Sequence, residues 1–212
     1  MSPAQTTTPF QSPSAISPEA WKLIIPLLLI SLVLSFLFWQ TSVLVFVLAL
    51  LLMVCFRNPN RSIVKNPRVL LSPADCTLAE VHVQKNDRFA SGQARCLRLK
   101  VGLAQVAVQR APFDCSVEDL ERPKSRRRRS VIIWLKSDQG QRVGLQFVPA
   151  GPFSKVFCPV KIGDRFTQGQ HMGIVPFGAR VNVYLDAQLD LNLDFGSRLV
   201  AGQTPLASLY SA

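Results

Sequence analysis

The sequence predicts a mostly β domain behind an N-terminal helical membrane anchor. Three observations carry that prediction. The whole run from Leu23 to Phe56 contains not one Asp, Glu, Lys or Arg. Beyond residue 57 the pattern changes to short apolar or alternating runs split by Gly, Pro, Asn and Asp, with no sustained 3.6-residue period. The charge divides at the same place. Residues 1–56 hold only Glu19 and Lys22, so the net +11 of the 212-residue chain falls on the remainder. This distribution excludes a uniformly soluble chain, a multi-span transporter and a disordered polycation.

Residues 1–22 are expected to form a disordered tail. Met1 to Pro18 is rich in Ser, Thr, Pro and Gln, lacks periodicity, and lacks the basic start of a secretory signal. Residues 23–56 are the anchor. A single helix over this run would be about 51 Å long, against about 30 Å of hydrocarbon. The polar triplet Gln40-Thr41-Ser42 offers a break and leaves limbs Leu23–Trp39 and Val43–Phe56. A helical hairpin is therefore expected in preference to one long helix, with Trp39 at headgroup level and a second limb short enough to be re-entrant. Arg57, Arg61, Lys65 and Arg68 follow the run directly, which places the C-terminal domain on the cytoplasmic side.

Residues 57–212 form the β domain. The strands expected are Val69–Leu71, Thr77–Val83, Ala94–Val101, Val106–Gln109, Val131–Leu135, Val143–Phe147, Ala179–Leu185 and Leu206–Leu209. An internal repeat runs through its C-terminal part. Ile162-Gly163-Asp164-Arg165-Phe166 followed by Gly169-Gln170 matches Phe195-Gly196-Ser197-Arg198-Leu199 followed by Gly202-Gln203, at an offset of 33. Each unit sets glycine turns around a short strand. The pattern resembles the turns of lipoyl- and biotinyl-type domains and implies a duplicated β-sandwich or half-barrel. No Lys sits at a carrier-type hairpin tip. The five cysteines are widely spaced and free thiols are expected; with only His82 and His171 besides, no metal site is expected.

Five further stretches carry a resemblance. Phe56-Arg57-Asn58-Pro59-Asn60-Arg61, Leu71-Ser72-Pro73-Ala74-Asp75, Val106-Ala107-Val108-Gln109-Arg110-Ala111-Pro112, residues 161–173, and Phe177-Gly178-Ala179-Arg180-Val181-Asn182-Val183-Tyr184-Leu185 are similar, in the same order, to motifs of short-type phosphatidylserine decarboxylase proenzymes. That family makes phosphatidylethanolamine by removing CO₂ from phosphatidylserine. It uses a pyruvoyl group built from its own chain, so no external cofactor is expected. The resemblance implies a Ser that attacks the preceding glycine carbonyl and then becomes the pyruvoyl cap, assisted by an Asp and a His.

Here the sequence departs from the family. The cleavage Ser falls at Ala179, after Gly178, and the His falls at Ala107. Of the processing residues only Asp75 is kept, and the Gly beside it is Cys76. The stretch from Arg127 to Ser130 has lost an acidic member, and residues 147–152 also depart. Alanine has no Oγ and cannot form the pyruvoyl group. Gly196-Ser197, His82, His171 and Cys76 are weighed as stand-ins and read as turn, surface or core residues. The additional departures favour natural divergence over introduced alanines.

Arg122, Lys124, Arg126, Arg127, Arg128 and Arg129 form a basic loop before the strand at Val131. Beside a cytoplasmic leaflet such a cluster attracts anionic phospholipid, phosphatidylserine included. A solvated loop is the bland alternative. Nucleic acid is the weaker one, because no aromatic residue interleaves with the arginines. The expected function is thus a membrane-bound, phosphatidylserine decarboxylase-like protein, inactive, that keeps anionic-lipid binding or pairs with an active relative or a second copy. A genuine decarboxylase carrying introduced alanines and a membrane-tethered scaffold with a recruiting arginine loop are the competing readings.

Overall fold

The computed structural model describes residues 16, 18–35, 39–59, 61, 63, 65–103, 105–122, 130–151, 154–191 and 193–209. Lys124, Arg126, Arg127, Arg128 and Arg129, and residues 1–15 and 17 of the expected tail, lie outside the described residues. Two compact units form, one on a helical hairpin and one on the strands.

The hairpin consists of α1 (Pro18–Ser35) and α2 (Trp39–Cys55). Residues 18–22 are therefore helical and do not belong to a tail; Pro18 opens the first turn, where its missing N–H costs nothing. The seam between the helices is built on small side chains. Ala20, Ser31, Ser42 and Ala49 are buried, together with Ile24. Ser31 Oγ donates to the Ser42 carbonyl at 3.1 Å and Ser42 Oγ donates to the Ser31 carbonyl at 2.9 Å. The large apolar residues point outward: Leu29, Leu32, Val33, Leu44, Leu51 and Val54 are exposed.

The expected break at Gln40-Thr41-Ser42 is not where the chain turns. Those three residues lie in the first turn of α2, and the connection falls within residues 36–38, outside the described residues. The first N–H groups of a helix have no intrahelical acceptor, so polar residues are at home there, and Ser42 is committed to Ser31. One continuous helix is thereby ruled out. Among the described residues no helix is long and apolar enough to cross a membrane.

The second unit is a β structure. Its strands, among the described residues, are β1 (Val69–Leu71), β2 (Cys76–Lys85), β3 (Gln93–Val101), β4 (Val108–Arg110), β5 (Cys115–Glu121), β6 (Val131–Lys136), β7 (Arg142–Pro149), β8 (Arg165–Phe166), β9 (His171–Ile174), β10 (Ala179–Asp186), β11 (Arg198–Leu199) and β12 (Pro205–Ser208). Eight of them form one antiparallel sheet in the order β11-β2-β3-β10-β7-β6-β5-β8; β1 pairs with β12 and β4 with β9. Alternation places Leu97, Leu99, Ile133, Leu135, Leu145, Phe147, Val181 and Val183 in one core. On the opposite face Phe89, Trp134 and Tyr184 make a smaller cluster, with the Arg88 guanidinium 4.7 Å from the Trp134 ring centroid.

The unit is internally duplicated. Gly163 and Gly196 precede β8 and β11, and Gly169 and Gly202 follow them, all at positive φ between 72° and 90°, where a side chain would be strained. β8 closes one edge of the large sheet on β5, and β11 closes the other on β2. The structure adds a second repeat, at an offset of 39: Ser72-Pro73-Ala74-Asp75-Cys76 against Ala111-Pro112-Phe113-Asp114-Cys115. Equivalent hydrogen bonds tie both copies. The Gly202 N–H donates to Ser72 O at 2.8 Å, as Gly169 N–H does to Ala111 O at 2.7 Å. Leu71 N–H donates to Pro112 O at 2.9 Å and Arg110 N–H to Pro73 O at 2.8 Å, a reciprocal pair across the pseudo-twofold. Both copies carry a β-bulge at the same place, before Glu80 in β2 and before Asp119 in β5.

Candidate functional site

The turn entering β10 departs most from relaxed backbone geometry. Phe177 has φ 63°, the one non-glycine residue at positive φ among the described residues, and Gly178 follows at φ 80°. A bulky side chain held there costs about 1–3 kcal/mol and persists only where neighbours enforce it. Ser154, fully buried, is one such neighbour. Its hydroxyl proton is shared between the Gly178 carbonyl at 2.8 Å and the Pro176 carbonyl at 2.9 Å. The Ala150 N–H also approaches the Gly178 carbonyl, at 3.3 Å. The Gly178 carbonyl thus lies on a strained turn between two hydrogen-bond donors, the arrangement that stabilises charge developing on a carbonyl oxygen under attack. Sequence reasoning misses Ser154, which belongs to no motif, and reads Ala150 only as part of the departing stretch 147–152.

The next residue supplies no nucleophile. Ala179 is buried at the start of β10 and its methyl group belongs to the main core. Ala107 is equally buried; its carbonyl accepts the Val175 N–H at 2.9 Å and the Gln109 side-chain amide at 3.1 Å. Nothing titratable is present at either position.

Asp75 is engaged elsewhere. Its carboxylate receives both terminal nitrogens of Arg61, each at 2.6 Å, and the Ala201 N–H at 2.8 Å. Burial pushes this carboxyl up, but the Arg61 hydrogen bond, the Ala201 N–H and the Arg61 charge outweigh it and hold the group below its usual value. The duplication explains part of this. Asp114, the counterpart of Asp75 in the second copy, accepts the Gln168 N–H at 2.6 Å, and Gln168 is in turn the counterpart of Ala201. Both aspartates clamp the same turn of their own copy. The bonds of Asp75 go to Arg61 and Ala201 and do not join it to Ala107 or Ala179.

The other residues weighed in the sequence lack an activated setting. Burial pushes the Cys76 thiol up to about 12, so thiolate is scarce at neutral pH. His171 is buried with Nε2 2.9 Å from the Gly173 carbonyl. His82 is partly exposed on β2, 3.9 Å from Glu80. Ser197 sits in the turn before β11, and its Oγ has no hydrogen-bond partner among the described residues. Of the basic segment, Arg122 is described and reaches the Cys158 carbonyl at 3.5 Å. Among the described residues no group of three or more His, Cys, Asp or Glu is placed to hold a metal ion.

Comparison with known proteins assigns this architecture. The family model described as phosphatidylserine decarboxylase matches residues 48–207. The chain belongs to the phosphatidylserine decarboxylase family. It is 29% identical over 208 residues to a phosphatidylserine decarboxylase proenzyme of Cupriavidus pinatubonensis, covering 92% of this chain and 95% of that one. It is 32% identical over 184 residues to the proenzyme of Anaplasma phagocytophilum, covering 79% and 80%. A proenzyme of Symbiobacterium thermophilum is 26% identical over 208 residues, covering 92% and 95%. No solved structure matches. The decarboxylase match begins within α2 and ends in β12, so it takes in both copies of the duplicated unit. Since the family's pyruvoyl group comes from its own chain, no external cofactor is expected for this member.

Proposed function

We propose that this decarboxylase-family chain stays uncleaved, forms no pyruvoyl group, and acts as an anionic-lipid-binding protein of phospholipid metabolism. One observation carries the reading. The strained Phe177-Gly178 turn and its carbonyl donors are in place, but the residue that follows is Ala179, a methyl group in the core. A pyruvoyl cap requires a hydroxyl-bearing residue at that position. The residues present do not fit the group, and a chain without it has no ketone to receive a substrate amine. Ala107 removes the proton acceptor as well. The retention of Asp75 follows from its clamp on Ala201 and its ion pair with Arg61. In this reading the duplicated unit is lipoyl-like, and Asp75, Ala107, Gly178 and Ala179 are the vestige of the processing site.

The hairpin supports membrane attachment. Its outward surface is apolar while its seam holds the small and hydroxyl residues, the reverse of a helix pair that keeps its leucines from water. At 1.5 Å per residue, α1 is about 27 Å long, short of about 30 Å of hydrocarbon. We read it as dipping into one leaflet, with Arg57, Lys65 and Arg68 remaining on the cytoplasmic side.

Intact mass under denaturing conditions tests the central point. A single 23.5 kDa chain is expected. A released fragment of residues 179–212 with a blocked, ketone-reactive N-terminus would overturn the proposal. Restoring Ser at 179 and His at 107 together is expected to leave most of the chain uncut, because Cys76 replaces the family's glycine beside Asp75. Efficient self-cleavage of that double variant would show the two alanines to be the whole defect.

A further inference from the structure

The register of the large sheet brings three cations into one outward-facing row. Arg198 of β11 lies opposite Thr77 of β2, Thr77 opposite Lys100 of β3, and Lys100 opposite Arg180 of β10. All three cations are exposed, and among the described residues none makes an ion pair or a side-chain hydrogen bond. Lys100 and Arg180 are direct cross-strand partners, so their Cβ atoms lie about 4.5–5.5 Å apart, and like charges directly opposite are destabilising.

The duplication provides an internal control. At the other end of the sheet Arg165 of β8 lies opposite Ser116 of β5, Ser116 opposite Lys136 of β6, and Lys136 opposite Arg142 of β7. The same sequence of cation, hydroxyl, cation, cation therefore occurs twice. In this second row the repulsion is relieved within the chain, since Glu118 holds Arg142 through both carboxylate oxygens at 2.7–3.1 Å. Glu118 occupies the bulge of β5. The bulge of β2 has Ala79 at the equivalent position of its own copy. Glu80, the next acid along β2, is taken by Arg98. One row carries its own counter-ion and the other does not.

The open row has apolar company. Leu103, three residues past Lys100, is 69% exposed, and Phe195, three residues before Arg198, is 72% exposed. A row of uncompensated cations with protruding apolar side chains complements a bilayer whose headgroups carry negative charge. We propose that Lys100, Arg180 and Arg198 form a docking row for an anionic phospholipid surface, distinct in sequence from the basic segment at 122–129, with Leu103 and Phe195 entering the headgroup layer. The row rests on the lipid-binding reading above and gives it a structured contact surface.

The full chain, carried in vesicles of phosphatidylcholine alone or of phosphatidylcholine with phosphatidylserine, is treated with a soluble amine-acylating reagent and read residue by residue by mass spectrometry. Lys100 is expected to acylate about fivefold more slowly on the phosphatidylserine vesicles, and Lys136, in the compensated row, at an unchanged rate. Arg180→Gln with Arg198→Gln should abolish the difference at Lys100. Equal slowing at both lysines, no slowing at Lys100, or slowing that survives the double substitution would overturn the docking row. So would protection of Lys100 by RNA in the absence of protection by vesicles. Flotation with phosphatidylcholine vesicles reports separately on the hairpin. A chain that fails to float defeats membrane anchoring, and the lysine comparison then remains decisive with vesicles added from outside.

Discussion

At the residue scale, Asp75 is where catalytic and structural readings of one side chain separate. Its ion pair with Arg61 and the N–H of Ala201 give it a stabilising task that needs no chemistry. Because its folded pKa lies below the ordinary carboxyl value of 3.8, the stability it contributes is present in full above that value. It is lost as pH falls through the lower folded value. Asp75→Asn should therefore cost about 2 kcal/mol near neutral pH and flatten the acid side of the stability curve, measured by denaturant unfolding in detergent from pH 7 to about pH 2. An unchanged acid limb would deny the clamp its role. The aspartate and the two alanines can be located in the sequence because they lie in motifs. Ser154 cannot, since an isolated serine in an irregular stretch carries no signal until its hydroxyl is found 2.8 Å from the Gly178 carbonyl. Nor can the positive φ of Phe177, a bulky residue that no propensity scale would put there.

At the scale of elements, alternation makes β3 and β10 readable, because one face is buried and the other more open, while β2, β6 and β7, the last two buried on both faces in places, are read from short β-rich runs bounded by turn residues. β5 escapes a reading by pattern: Cys-Ser-Val-Glu-Asp-Leu-Glu is too acidic to look like a strand, and its carboxylates are spent on Arg88 and Arg142. β9 is buried at every position and so has no alternation, while β8 and β11 are two residues long. The repeat at 33 is legible from its glycines. Its counterpart at 39 is obscured because the two copies are separated by different lengths of chain. In the helical hairpin the length of the uncharged run indicates two helices, but the polar triplet misplaces the bend; it belongs to α2, where Ser42 meets Ser31. That pair gives a prediction. Replacing both serines by Val removes two interhelical hydrogen bonds and inserts branched side chains into a seam of small residues. Such bonds contribute about 0.6 kcal/mol each on average in membrane helices, at most about 1.7. Parting of α1 and α2 should appear as faster proteolysis of the hairpin in detergent, with the far-UV helical signal retained. Unchanged proteolysis would mean that apolar packing alone holds the hairpin.

For the whole molecule, the duplication decides what cleavage would do. A cut before Ala179 would leave β10, β11 and β12 on the released piece, yet β10 lies between β3 and β7 at the centre of the large sheet. β11 covers the edge at β2, and β12 is the partner of β1. The two pieces would remain hydrogen-bonded together, so size under native conditions does not distinguish cut from uncut chain. The same interlock predicts the behaviour of a chain that ends at Gly178. It would lack Val181, Val183, Leu185, Leu199 and Leu206, all buried, and burying each such side chain stabilises by about 1.5–3 kcal/mol. Their combined loss is of the same size as the about 5–15 kcal/mol that holds a typical domain together, before the exposed edges of β3 and β7 are considered. Residues 1–178 produced alone should thus show no cooperative thermal transition of the β unit. Supplying residues 179–212 as a separate peptide should restore one, since the missing strands carry their own register. A cooperative melt of residues 1–178 without the peptide would show that β10 completes a fold already standing, and that the two copies are less interdependent than their shared hydrogen bonds imply.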